Sequence, residues 1–266
     1  MKTKNILGLF ALMGMASYAA TGNTCSRAPT SQFDSFYNPL WGCQQTFVND
    51  MWSRFHFDQG DWDEGFGYED ACNDTLPLKR TFNGLMALGY AGTTTPTCST
   101  ASSNVLLWGY CWAGGAIDEL DGRCGETARA TTYYFPVLDH RTELYMPFFF
   151  DESVVQRAGT IFHEARHASG FCSHPSDCID GVATGKDACD PNWANGCVGP
   201  GSGSGPGANA YTVIYMSWFA TSARSTWINA SIRANAVGEA NTYLNNRFTT
   251  DPCFRLNSSG FAFTTC

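Results

Sequence analysis

Apolar residues recur every three or four positions in several segments of the chain, a pattern typical of helices that bury one face. The clearest case follows the polar stretch 151–153, where apolar residues from Val154 to Ala165 repeat at this spacing. Ser153 is suited to cap the start of a helix, and Gly170 is suited to end it. The pattern therefore predicts an amphipathic helix between these two residues.

Other segments have helical periodicity or helix boundary signals, and Pro77 suits the first turn of one of them. The apolar segment 104–112 has no clear period, so it is compatible with either a buried strand or a helix. The remaining predicted helices cover residues 44–57, 76–90, 208–220 and 225–248.

Two segments directly before the helix that starts near Ser153 have the composition of β-strands. Residues 131–135 and 142–150 are rich in tyrosine, phenylalanine and threonine, which suit a half-buried sheet surface. Asp139 and His140 supply a turn between them, so we expect a hairpin. Several helices with one small sheet predict a mainly helical α+β fold.

The N-terminal segment has the parts of a secretory signal peptide. Lysines precede an apolar run from Ile6 to Ala16, and Ser17 and Ala19 are small residues that suit a cleavage site. We expect residues 1–19 to be removed and residues 20–266 to form one secreted or periplasmic domain. An N-terminal membrane anchor is the alternative, although the apolar run is short for a membrane-spanning helix.

All twelve cysteines lie beyond that segment, and none is in C-x-x-C spacing. An even number of cysteines in an exported chain predicts a disulfide framework rather than a zinc ribbon or a thioredoxin-like motif. The formal net charge is −8, which disfavours nucleic acid and anionic membranes as partners. These features indicate a disulfide-rich extracellular protein.

One short pattern carries a specific chemistry. His163, Glu164 and His167 form H-E-x-x-H within the predicted helix. Residues four apart share a helix face, with Cβ atoms about 5–6 Å apart, so both imidazoles can reach one zinc ion. Glu164 can then act as a general base toward water. Structural histidines are the alternative, but the clustering of His163, His167 and His174 favours a metal site.

At these residues the chain resembles the zincin metallopeptidases, and within them the metzincins, whose pattern is H-E-x-x-H-x-x-G-x-x-H. Gly170 matches the glycine, whereas Ser173 stands at the third histidine position and His174 follows it. The resemblance covers residues 163–174. It implies a zinc cofactor, two helical histidine ligands, a glutamate base, a peptide or protein substrate, and an edge strand beside the cleft.

The third metal ligand has three sources. We predict His174, because Gly170 lets the chain turn back toward the metal and an irregular loop can absorb one extra residue. Asp177 or Asp180 would instead give a site of two histidines and an aspartate. Glu239, on the last predicted helix, would give two histidines and a glutamate. A site of three histidines is our expectation.

Four further features have a weaker link to chemistry. The acidic segment 58–65 fails the EF-hand pattern, so we expect a solvated loop rather than a calcium site. Met216 lies in an apolar helical pattern and is expected to pack in the core. Tyr211 and Tyr215 match in type the tyrosines that stabilise an oxyanion in some metzincins. Arg166 could orient an aspartate of the loop that follows.

Together these features predict a secreted zinc-dependent metallopeptidase on a zincin-like scaffold. The alternative is a secreted binding module, for a glycan or protein ligand, whose metal site is structural or absent. A zincin that has lost activity is the third reading. A structural zinc needs four protein ligands, whereas a catalytic zinc keeps one position open.

Overall fold

In a computed structural model of the protein, the described residues are 25, 27–30, 43–68, 70, 72–98, 104–126, 128–133, 140–169, 208–224, 228–246, 254–257 and 260–263. The predicted signal peptide and the predicted zinc ligand His174 lie outside them, as do Asp177 and Asp180. Of the predicted site residues, His163, Glu164 and His167 are described.

The predicted helices are present. The ambiguous segment 104–112 belongs to a helix. Asn104 caps the first turn of this helix, because its side chain accepts a hydrogen bond from the Leu106 N–H at 2.9 Å. A short 3-10 helix, Gln59–Asp61, lies in the acidic segment. The α-helices are α1 (Gln45–Arg54), α2 (Pro77–Tyr90), α3 (Val105–Ala116), α4 (Met146–Phe150), α5 (Val154–Ala168), α6 (Ala208–Ser222) and α7 (Ala230–Asn246).

A three-stranded sheet lies beside α5. Its strands are β1 (Glu119–Gly122), β2 (Ala130–Tyr133) and β3 (Arg141–Leu144), in the order β1-β3-β2. β2 and β3 are antiparallel, as the predicted hairpin requires, and β1 is parallel to β3. The chain also forms a separate antiparallel pair, β4 (Phe254–Asn257) and β5 (Gly260–Phe263). Helices with a small sheet confirm the α+β class.

The predicted strand 142–150 is wrong in its second half, because residues from Met146 to Phe150 form α4. Pro147 occupies the first turn of this helix, where its missing N–H costs nothing. All three phenylalanines that follow it are fully buried. A strand would point alternate side chains to opposite faces, whereas this short helix buries all three.

α5 is the central helix of the described core. It packs against α2, α3 and α6, and it contacts β2. A capping box starts it: Gln156 N–H donates to the Ser153 side chain at 3.3 Å, and Ser153 N–H donates to Gln156 Oε1 at 2.7 Å. These contacts confirm the predicted amphipathic helix and fix the element that carries the histidines.

α6 approaches α5 closely at Gly159. A Cβ atom there would lie 3.0 Å from Met216 Cε and 3.2 Å from Thr212 Cγ2. Met216 is fully buried, as expected for a core residue. The missing side chain of Gly159 therefore lets α6 lie close enough for Thr212 to reach the next turn of α5.

Three disulfides join described cysteines: Cys25–Cys124, Cys43–Cys72 and Cys98–Cys111, with Cα–Cα distances of 5.3, 5.5 and 4.8 Å. They confirm that the chain carries disulfide bonds, and they are compatible with an extracellular location. The other six cysteines lie outside the described part of the chain. Within that part, no helix has the length and apolarity needed to cross a bilayer.

Candidate metal centre

His163 and His167 lie on one face of α5, one turn apart, and both are partly buried. Their Nε2 atoms are 3.1 Å apart. A tetrahedral zinc ion with Zn–N bonds of about 2.0–2.1 Å holds two ligand nitrogens about 3.3 Å apart. The pair therefore fits two positions of one zinc ion with little adjustment.

Thr212 of α6 contacts Nδ1, the ring nitrogen of His163 that does not face His167. Its Oγ1 lies 3.3 Å from His163 Nδ1, and also 3.4 and 3.3 Å from the carbonyl oxygens of Gly159 and Ala208. When Nδ1 of His163 carries the hydrogen, the Thr212 hydroxyl accepts it and donates its own hydrogen to one of these carbonyls. Nε2 of His163 then keeps its lone pair, as a zinc ligand requires.

The same geometry also suits a histidine pair without metal. In that state His167 Nε2–H donates to the Nε2 lone pair of His163 across 3.1 Å. Metal binding would replace this one proton and leave the Thr212 contact unchanged. Zinc content therefore distinguishes the two states.

Glu164 is nearly buried, 6% exposed, and faces the sheet. Its Oε2 accepts from Thr132 Oγ1 at 2.8 Å, and Thr132 Oγ1 lies 2.8 Å from Thr142 Oγ1. Since Thr132 donates its hydrogen to the carboxylate, Thr142 donates to Thr132. This chain of hydroxyls fixes the orientation of the Glu164 carboxylate at the edge strand β2.

Glu239, one alternative source of a third ligand, lies at the other end of α5. Its side chain is hydrogen-bonded to Gln156 and lies 3.5 Å from Asn235 Nδ2. Gln156 precedes His163 by seven residues, or roughly 10 Å along the helix axis. The fold therefore does not bring Glu239 to the histidine pair.

The aromatic residues near α5 pack rather than face open solvent. Tyr215 is fully buried against Phe162, and burial raises its pKa well above the usual value, so its phenol stays protonated. The Tyr211 and Trp112 ring centroids are 5.0 Å apart with the rings tilted by 33°, and the Arg166 guanidinium lies 5.4 Å above the Tyr211 ring. The loop aspartates expected near Arg166 lie outside the described residues.

A recess of about 360 Å³ opens at the C-terminal end of α5, directly after His167 in the chain. Its walls are mainly apolar, with His140 hydrogen-bonded to Asp118 through its backbone N–H at 2.7 Å. The residues that line it are Trp112, Gly115, Ala116, His140, Ala168 and Ser169.

Sequence reasoning missed the three threonines of this region, Thr132, Thr142 and Thr212. Thr212 is separated from His163 by 49 residues and Thr132 from Glu164 by 32, and no spacing rule links them to the motif. Comparison with protein-family models, curated proteins and solved structures finds no match for this chain.

Proposed function

We propose that this protein is a secreted zinc-dependent metallopeptidase with a zincin-like fold. The observation that carries the proposal is the pair of Nε2 atoms of His163 and His167, 3.1 Å apart on one helix face. The Thr212 contact supports it, because Thr212 Oγ1 can accept a hydrogen from Nδ1 of His163 and so leave Nε2 available. The disulfides and the predicted signal peptide support secretion.

In this proposal His163 and His167 hold the zinc, and His174 supplies the third nitrogen. When bound, zinc polarises a carbonyl oxygen and makes water more acidic. Glu164 accepts the proton of the attacking water at its carboxylate and then donates it to the leaving amine. Thr132 keeps the carboxylate in one orientation through its 2.8 Å hydrogen bond, so less entropy is lost when the transition state forms.

The proposed substrate is a peptide in extended conformation. β2 is one of the two outer strands in the order β1-β3-β2, and it contacts Glu164 through Thr132. A peptide added along this edge would place a scissile carbonyl beside the base. The mainly apolar recess after His167 would accept one apolar side chain of such a peptide.

The test uses the oxidised mature chain, residues 20–266, with zinc content measured by elemental analysis and hydrolysis measured on unfolded casein. Wild-type protein should hold one zinc and cleave the substrate. Glu164→Gln should keep the zinc and lose about 10²–10⁴-fold in rate. Glu126→Gln, at an exposed carboxylate outside the site, is the matched control and should match wild type.

Each contrary result has a distinct meaning. Protein without zinc would make the histidines a hydrogen-bonded pair and favour a binding module. Zinc without hydrolysis on any protein substrate would favour a structural site or an inactive zincin. Loss of zinc in Glu164→Gln would make the glutamate a ligand rather than a base.

The third ligand has its own test. His174→Ala should lose zinc as completely as His167→Ala, while Asp177→Ala, Asp180→Ala and Glu239→Gln should keep it. Loss of zinc in one of the aspartate variants alone would replace the three-histidine site by two histidines and an aspartate.

A further inference from the structure

The acidic segment is held against the outer strand β1, far along the chain from the histidine motif. Trp62 forms a bridge with Gly122, and Trp62 Nε1 donates to the Leu120 carbonyl at 2.9 Å. Asp63 N–H donates to the Gly122 carbonyl at 3.0 Å. This docking fixes Asp61 beside the polar face of β1.

Three carboxylates meet at this place. Glu119 and Asp121 are two residues apart on β1 and therefore project from the same face of the sheet. Together with Asp61 they bring one oxygen each within 4.8 Å of one another. Carboxylate oxygens at this spacing are the ligands that calcium prefers.

A buried carboxylate oxygen of Asp121 without a hydrogen-bond partner is independent evidence for a bound cation. Asp121 is fully buried, and its Oδ2 accepts from Arg123 Nη2 at 2.9 Å and lies 3.2 Å from Arg141 Nε. Its Oδ1 is buried with no hydrogen-bond partner. Buried carboxylate oxygens in folded proteins nearly always have a donor or a cation.

The nearby arginines do not neutralise the cluster. Arg123 and Arg141 are shared with Glu143, at 3.3 and 3.1 Å, so two guanidinium groups face four carboxylates among the described side chains. The missing positive charge equals that of one divalent cation.

We propose that Asp61, Glu119 and Asp121 bind a calcium ion, which ties the acidic segment to β1. The site is separate from the histidine pair, and it does not depend on the proposed peptidase activity. The set of oxygen donors favours calcium over zinc or copper. A second group of possible ligands, Cys25, Asp63 and Cys124, carries no such proposal, because its two sulfurs form a disulfide.

The test measures thermal unfolding of the oxidised mature chain after removal of metals and restoration of zinc, so that any further response reports calcium. The Tm of the wild-type protein should rise with calcium concentration, with a dissociation constant of about 0.1–1 mM, the range of extracellular calcium modules. Magnesium at the same concentration should give a smaller rise. Terbium bound in place of calcium should luminesce on tryptophan excitation, because Trp62 adjoins Asp61 and can transfer its energy to the ion.

Glu119→Gln and Asp61→Asn are the diagnostic variants, because both carboxylates are only partly buried and their loss leaves the core intact. Each should weaken calcium binding about tenfold or more, since affinity follows the number of charged ligands. Glu64→Gln, in the same segment but exposed, should keep the wild-type response. A wild-type Tm that ignores calcium, an equal response to magnesium, or an unchanged response in Glu119→Gln would each overturn the proposal.

Discussion

Thr212 offers the sharpest test of how the fold prepares the histidine pair. Thr212→Val replaces the hydroxyl by a methyl group of similar size and removes the acceptor for His163 Nδ1–H. Loss of such a contact behind a metal ligand typically weakens metal affinity about 10–100-fold, or about 1.4–2.7 kcal/mol. We expect zinc affinity to fall by that amount, measured by competition with a chromogenic chelator at fixed pH.

The control for this variant lies on the same helix. Thr221 donates to the Ser217 carbonyl at 2.9 Å, the same four-residue bond that Thr212 makes to Ala208, and it lies roughly 14 Å further along α6. Thr221→Val should therefore leave zinc affinity unchanged, while Thr212→Ser should restore most of it. Equal affinities for wild type and Thr212→Val would refute the role of Thr212 in setting the tautomer.

Two further predictions concern the scaffold. Gly159→Ala should lower the free energy of unfolding by about 1 kcal/mol, because overpacking of about 1–3 kcal/mol against α6 exceeds a helix-propensity gain of about 1 kcal/mol. Gly238→Ala, with open space around it, should instead raise stability, and denaturant unfolding in which both variants shift the same way would contradict this reasoning. Burial raises the pKa of Glu152 to about 7, so its protonated form favours the fold: this contribution is full below about pH 4.5 and is lost as pH rises through 7. Glu152→Gln should therefore flatten the stability profile from pH 5 to 8, and parallel profiles for the two proteins would count against it.

The parts of the fold that follow from local signals could be predicted from the sequence. α5 combines a capping serine with a regular apolar period, and both act within one element. β1 was missed, because its sequence Glu-Leu-Asp-Gly has little β propensity. It is a strand because β3 and the acidic segment flank it, and those contacts are made across the fold.

The candidate site also has one part that the sequence predicts and another part that depends on tertiary contacts. His163, Glu164 and His167 are recognisable because one helix carries all three at fixed spacing. Thr132 and Thr212 act on them from a strand and another helix, so only tertiary packing reveals them. The acidic segment was expected to be a solvated loop, yet Asp61 is held against β1, because Trp62 is buried beside it.

The described disulfides also divide the molecule covalently. All three close within residues 25–124, so they enclose α1, α2, α3 and β1 in cross-linked rings. α5 and β2, which carry the histidines and Thr132, follow this region in the chain and are held to it by packing. Under a pulling force on the chain ends, or in hydrogen exchange, the helix that carries the motif can therefore separate while the rings stay closed. We therefore expect the opening of this part to limit the lifetime of the folded protein.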